Sequence, residues 1–220
     1  MEMIGYTQFM NNINTHIMRA SGKLEPFLEI INDIQENYLP ELCNKLSASD
    51  VDIIICDDAS RAIPETGVGG WAFHPNLLSI YIDPESKNLA ERLQSELKST
   101  LAHELHHVTR WRLMGYQDTL LESIITDGLA DHFDIDFNAG SPHPWDVALG
   151  DDELEKYLKE ASLIWNNQGF DHGQWYLGTS GIPRWTGYAL GFKLVNDYVM
   201  KTGDRDPKSL IRLPVTAFIT

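Results

Sequence analysis

The sequence predicts an α+β fold: a small mixed or antiparallel sheet, a long helix carrying a histidine pair, and a mostly helical C-terminal lobe. Three observations carry that expectation. Residues 51–56, 71–74 and 77–82 are short, β-branched or aromatic runs separated by Gly, Pro, Asn and Asp, the pattern of strands and turns. From Leu89 the period changes, and apolar residues recur at Leu93, Leu97, Leu101 and Leu105, the stripe of one amphipathic helix. Inside that stripe lies His103-Glu104-Leu105-His106-His107.

Taken in order, residues 1–50 read as N-terminal helices over about 6–19 and about 24–46, the second interrupted at Pro40. Residues 51–135 hold the sheet and the metal-site helices. The Gly67-Val68-Gly69-Gly70 entry to the hairpin permits close backbone approach. No Gly-Lys-Ser/Thr follows, so it is not a phosphate loop. Gly115 is placed to cap the long helix, and a second helix runs from about 119 to 133. Residues 136–220 form a helical lobe, with helices over about 152–166 and 184–202. The whole is expected to be one domain.

Composition narrows the classes. With 43% hydrophobic and 22% charged residues the chain of 220 residues is expected to build a folded core. A net charge of −15, with no basic patch, argues against nucleic acid and against an anionic membrane surface. No apolar run reaches the roughly 18 residues of a membrane span. The start, Met1-Glu2-Met3-Ile4-Gly5, lacks a secretory pattern, so the cytoplasm is the expected location. The two cysteines, Cys43 and Cys56, have no Cys-x-x-Cys spacing; neither a disulfide scaffold nor a thiolate metal site is indicated, and Cys56 reads as a core residue. Nothing in the sequence sets an oligomeric state.

The histidine pair carries the chemistry. On a helix, residues four apart sit about 40° apart and about 6 Å along the axis. His103 and His107 can therefore aim at one zinc ion, with Glu104 beside them as a general base, while His106 falls outside the pair. A third protein ligand is needed. Asp127, in Thr126-Asp127-Gly128-Leu129-Ala130-Asp131, is the first candidate and Glu122 the competitor. Asp131, one turn beyond Asp127, suits a carboxylate that orients a ligating histidine, or simply a solvated helix face. Tyr188, His172 and Arg184 are the candidate donors for an oxyanion; the alternative for Tyr188 is a packed aromatic between two glycines. The hairpin at Trp71, Ala72 and Phe73 either offers an edge strand to an extended peptide or only completes the sheet.

The acidic segment 126–131 resembles that of gluzincin metallopeptidases, in which a third-ligand Glu follows on the next helix with an acid four residues later; here Asp stands for Glu. More narrowly, the chain resembles the YjaZ-like family of predicted zinc-dependent proteases. The carriers are Thr100-Leu101-Ala102-His103-Glu104-Leu105-His106-His107 and Gly187-Tyr188-Ala189-Leu190-Gly191, within residues 51–203. The resemblance implies a zincin-like fold, one zinc ion held by His103, His107 and Asp127, Glu104 as base, and a peptide or protein substrate. With the shorter Asp, either the second helix lies closer to the metal, or the site binds metal more weakly, or Glu122 takes its place. A metal-stabilised peptide-binding or regulatory protein of the same fold is the alternative. A metal-free helical interaction protein is a third reading, in which the His pair would be accidental.

Overall fold

Strands β1 (Ile13–Ile17), β2 (Val51–Asp57), β3 (Val68–His74) and β4 (Leu77–Ile82) form a mixed sheet in the order β1-β2-β4-β3. The computed structural model describes residues 12–116 and 118–219. β2 runs parallel to both β1 and β4, and β3 pairs antiparallel with β4, leaving β1 and β3 as the edges. The register of β3 slips between Ala72 and His74, a bulge at the end of the hairpin.

Residues 13–17 correct the expectation of a helix over 6–19. They pair with Val51–Ile55 of β2 instead, and residues 6–11 of that expected helix lie outside the described residues. The helical stretch that follows supplies the crossover a parallel pair requires. It comprises a single 3-10 turn (Glu25–Phe27), α1 (Leu28–Asp33), a π-helical turn (Ile34–Tyr38) and α2 (Leu39–Leu46). The widened turn sits where Pro40 removes an N–H, so the interruption expected there is a local change of pitch and the helix continues past it.

Helix α3 (Leu89–Met114) ends at Gly115, whose φ of 77° no side-chain-bearing residue adopts cheaply. Helix α4 (Leu120–Asn138) opens at Thr119, whose hydroxyl accepts the Glu122 N–H. Polar pairs between them run in opposite sequence order: Ser99 with Asp134, His103 with Asp131, Arg110 with Glu122. The two helices are therefore antiparallel. The remainder is α5 (Asp151–Ser162), α6 (His172–Tyr176), α7 (Thr186–Thr202) and α8 (Pro207–Leu210).

Two apolar cores flank the α3–α4 pair. One holds the sheet, α1, α2 and the stripe Leu89, Leu93, Leu97, Leu101, Leu105 and Val108. The other gathers Leu120, Leu121, Ile124, Ile125 and Leu129 of α4 with α5, α6 and α7. Helix α4 is apolar almost all round because it packs on α3 on one side and on α7 on the other. The α4–α7 crossing is tight: a Cβ on Gly191 would overlap the Ile124 carbonyl, and one on Gly128 would overlap the Gly191 backbone. Cys43 is buried and Cys56 half-buried, so Cys43, not Cys56, is the core cysteine; both are free thiols. Among the described residues, no helix is long and apolar enough to cross a membrane.

Candidate metal centre and its cleft

The α3–α4 pairing brings three donors together at the seam of the two cores. His103 Nε2 and His107 Nε2 lie 2.8 Å apart, and Asp127 Oδ1 lies 3.7 Å from the first and 3.3 Å from the second. Tetrahedral zinc with bonds near 2.0–2.1 Å would set its ligand atoms about 3.3 Å apart. The three edges bracket that value, so the donor set fits such an ion. Among the described residues this is the group of His, Cys, Asp and Glu side chains whose donors converge. The two imidazoles hold Asp127 well below the usual carboxylate range, although burial opposes them.

Glu122, the competing ligand, is turned away. It accepts from the buried Arg110 guanidinium at 3.4 Å, and Arg110 also donates to the carbonyls of Ile211 and Leu213. Its position on the first turn of α4 aligns it with Arg110, one turn further along α3 than the histidines.

Behind the donors lies a chain of carboxyls. His103 Nδ1 donates to Asp131 Oδ1 at 2.9 Å, which fixes the tautomer and leaves Nε2 free to ligate. Asp131 is fully buried and also accepts from Trp145 Nε1 at 3.4 Å. Its second oxygen and Asp146 Oδ1 are buried atoms that no N–H or hydroxyl serves. Burial, then the Asp131 charge, pushes Asp146 up to about 9, so Asp146 keeps its proton and donates it in a hydrogen bond to Asp131. Asp146 and Trp145 come from the 139–150 loop, where no periodicity marks them; sequence reasoning missed both.

Glu104 faces the cleft from α3. Burial raises its carboxyl above the usual range, against the pull of His107 and His103, and the Ala72 N–H donates to it. Ala72, expected to offer its main chain to a peptide, thus spends its N–H on the Glu104 carboxyl. A Cβ on Gly70 would lie 2.6 Å from Glu104 Oε1, so the glycine is what lets β3 pass beside this side chain.

The cleft encloses about 310 Å³. One wall is the edge strand β3, with Trp71 and Phe73 50% and 46% exposed. Trp111 and Tyr116 pack with tilted rings 4.9 Å apart at the end of α3. Tyr188 and His172 also line the cleft, and His172 meets the Trp71 ring edge-on at 6.1 Å. Tyr188 packs edge-on to Tyr176 at 4.8 Å, and its hydroxyl has no hydrogen bond among the described residues. Burial and the nearby carboxylates of Asp127, Asp131 and Glu104 raise it far above the usual range, so it is a neutral donor. His172 stacks flat on Tyr176 at 4.4 Å. Tyr176, not foreseen, shares a 2.8 Å hydrogen bond with Ser123 and touches Asp127. Arg184 stands outside the cleft, bound to Glu65 at 2.7 Å, which removes it from the oxyanion candidates.

Helix-borne imidazoles, a converging carboxylate and a buried glutamate at the edge of a cleft define a centre that can hold a transition-metal ion beside a base. Residues 31–220 match the family model described as "Predicted Zn-dependent protease (DUF2268)", and the chain belongs to that family. No curated protein and no solved structure matches the chain.

Proposed function

We propose that the chain is a zinc-dependent peptidase of zincin-like, gluzincin-type architecture, acting as one unit on peptide or protein substrates. The observation that carries the reading is the convergence of His103, His107 and Asp127 within reach of Glu104, at a cleft walled by an unpaired strand edge. One zinc ion held by these three residues would polarise a scissile carbonyl and acidify a water. Glu104 then takes a proton from the water and returns it to the leaving amine; its raised pKa suits a group that must both accept and release. Asp131 holds His103 in the ligating tautomer. Tyr188 donates its phenolic hydrogen to the oxygen that gains charge, with His172 as the alternative donor. The outer edge of β3 receives the peptide main chain, and Trp71 and Phe73 grip flanking side chains.

Incubation of the zinc-loaded chain with a peptide library, read by mass spectrometry, tests this. Cleavage is expected in wild type and lost in Glu104→Gln while zinc stays bound. Peptide binding without cleavage in wild type, unchanged by Glu104→Gln, would instead describe a metal-stabilised binding protein.

A further inference from the structure

A second cavity of about 330 Å³ opens on the face of α4 opposite Asp127 and Asp131. It shares no lining residue with the cleft and equals it in size, near the lower end of about 300–1,000 Å³ for small-molecule sites. It lies where the two apolar cores meet: Phe133 belongs to one, Leu129, Val199 and Leu210 to the other. We propose that this cavity binds a free α-amino acid with a bulky apolar side chain.

The argument is the charge arrangement at the mouth. Lys45, from α2, and Arg205, from the loop after α7, both line it, and neither makes an ion pair among the described residues. In a chain with 32 acidic and 17 basic side chains, two unpaired cations at one opening are a surplus that an anion would fill. Asp136 lines the same mouth, also without an ion-pair partner. Arg205 and Asp136 act in opposite senses on His132, which also lines the cavity. A plain carboxylate would be repelled by Asp136. An α-amino acid meets all three: its carboxylate lies between Arg205 and Lys45, and its ammonium lies on Asp136. The side chain is then left to the apolar wall of Leu129, Phe133, Val199 and Leu210. His106, 1% exposed, also lines the cavity. None of this depends on the peptidase reading.

Calorimetric titration of the full chain with L-phenylalanine tests the proposal, with 3-phenylpropionate and phenethylamine as analogues lacking one charge each. One saturable site is expected. Arg205→Ala, Asp136→Asn, or loss of either ligand charge should each weaken it by about tenfold or more, the scale of one charge-assisted hydrogen bond. Asp127→Ala, across α4, should leave it unchanged. Absence of saturable binding overturns the proposal. So does 3-phenylpropionate binding as tightly as phenylalanine, or binding that survives Arg205→Ala and disappears in Asp127→Ala, which would put the amino acid in the cleft.

Discussion

Replacing Gly191 by alanine tests how the α4–α7 crossing sets the metal centre. The added Cβ would overlap the Ile124 carbonyl and sit 3.0 Å from the Gly128 nitrogen. Both obstacles are backbone, so no rotamer change relieves them. Restoring ordinary contact requires the helices to part by about 1 Å. Overpacking of this kind costs about 1–3 kcal/mol. Alanine's better helix propensity returns about 1 kcal/mol. A net loss of up to roughly 2 kcal/mol follows, lowering Tm by up to roughly 8 °C for a chain of this length. The shift also reaches the site, because Asp127 precedes Gly128 and its carboxylate sits only 3.3 and 3.7 Å from the histidine nitrogens. Urea denaturation of chelator-treated protein measures the first effect, and competition for zinc against a chromophoric chelator measures the second. A Gly191→Ala chain as stable as wild type, with unchanged zinc affinity, would refute the reasoning.

Gly70→Ala pushes a methyl group against the Glu104 carboxylate, so peptide cleavage should fall by about 100-fold or more while zinc content holds; unchanged turnover would mean Glu104 has room to spare. Asp146→Asn keeps a donor for Asp131 but removes a titration. Asp146 is held at about 9 against an ordinary 3.8, so across that window the folded chain keeps a proton that the unfolded chain has released. The stability conferred by that proton is complete below about pH 4 and is lost as pH rises towards 9. Between pH 5 and 8, unfolding free energies measured with chelator present should therefore shift in favour of the asparagine variant, by up to about 4 kcal/mol. Parallel pH profiles for the two proteins would show that Asp146 is ionised in the fold.

The helices that position the site were legible because their signal is local and long. The apolar stripe of α3, the Gly115 cap and the spacing of Asp127 and Asp131 all survive in the structure, and the hairpin lies where its turn residues place it. Strand β1 was not legible. Ile13 and Ile17 are four apart, which suits a helix as well as a strand, and the partner that decides between them lies 38 residues away in the register Ile13 to Val51. The outer parts of the site were hidden for the same reason. Asp146 and Trp145 reach Asp131 from an irregular loop, and Arg184 is drawn off to Glu65 across 119 positions. The glycines of Gly187-Tyr188-Ala189-Leu190-Gly191 carry a packing meaning that only the fold reveals. Gly191 meets the α4 backbone, and a Cβ on Gly187 would lie 2.6 Å from the Tyr176 ring.

Metal content by mass spectrometry, on protein purified without chelator, bears most directly on the metal centre. The geometry of His103, His107 and Asp127 calls for close to one zinc per chain in wild type and in Glu122→Ala, and for its loss in His103→Ala and Asp127→Ala. A chain that holds no zinc and takes none up on titration, or one that loses it with Glu122 and keeps it without Asp127, would contradict the account.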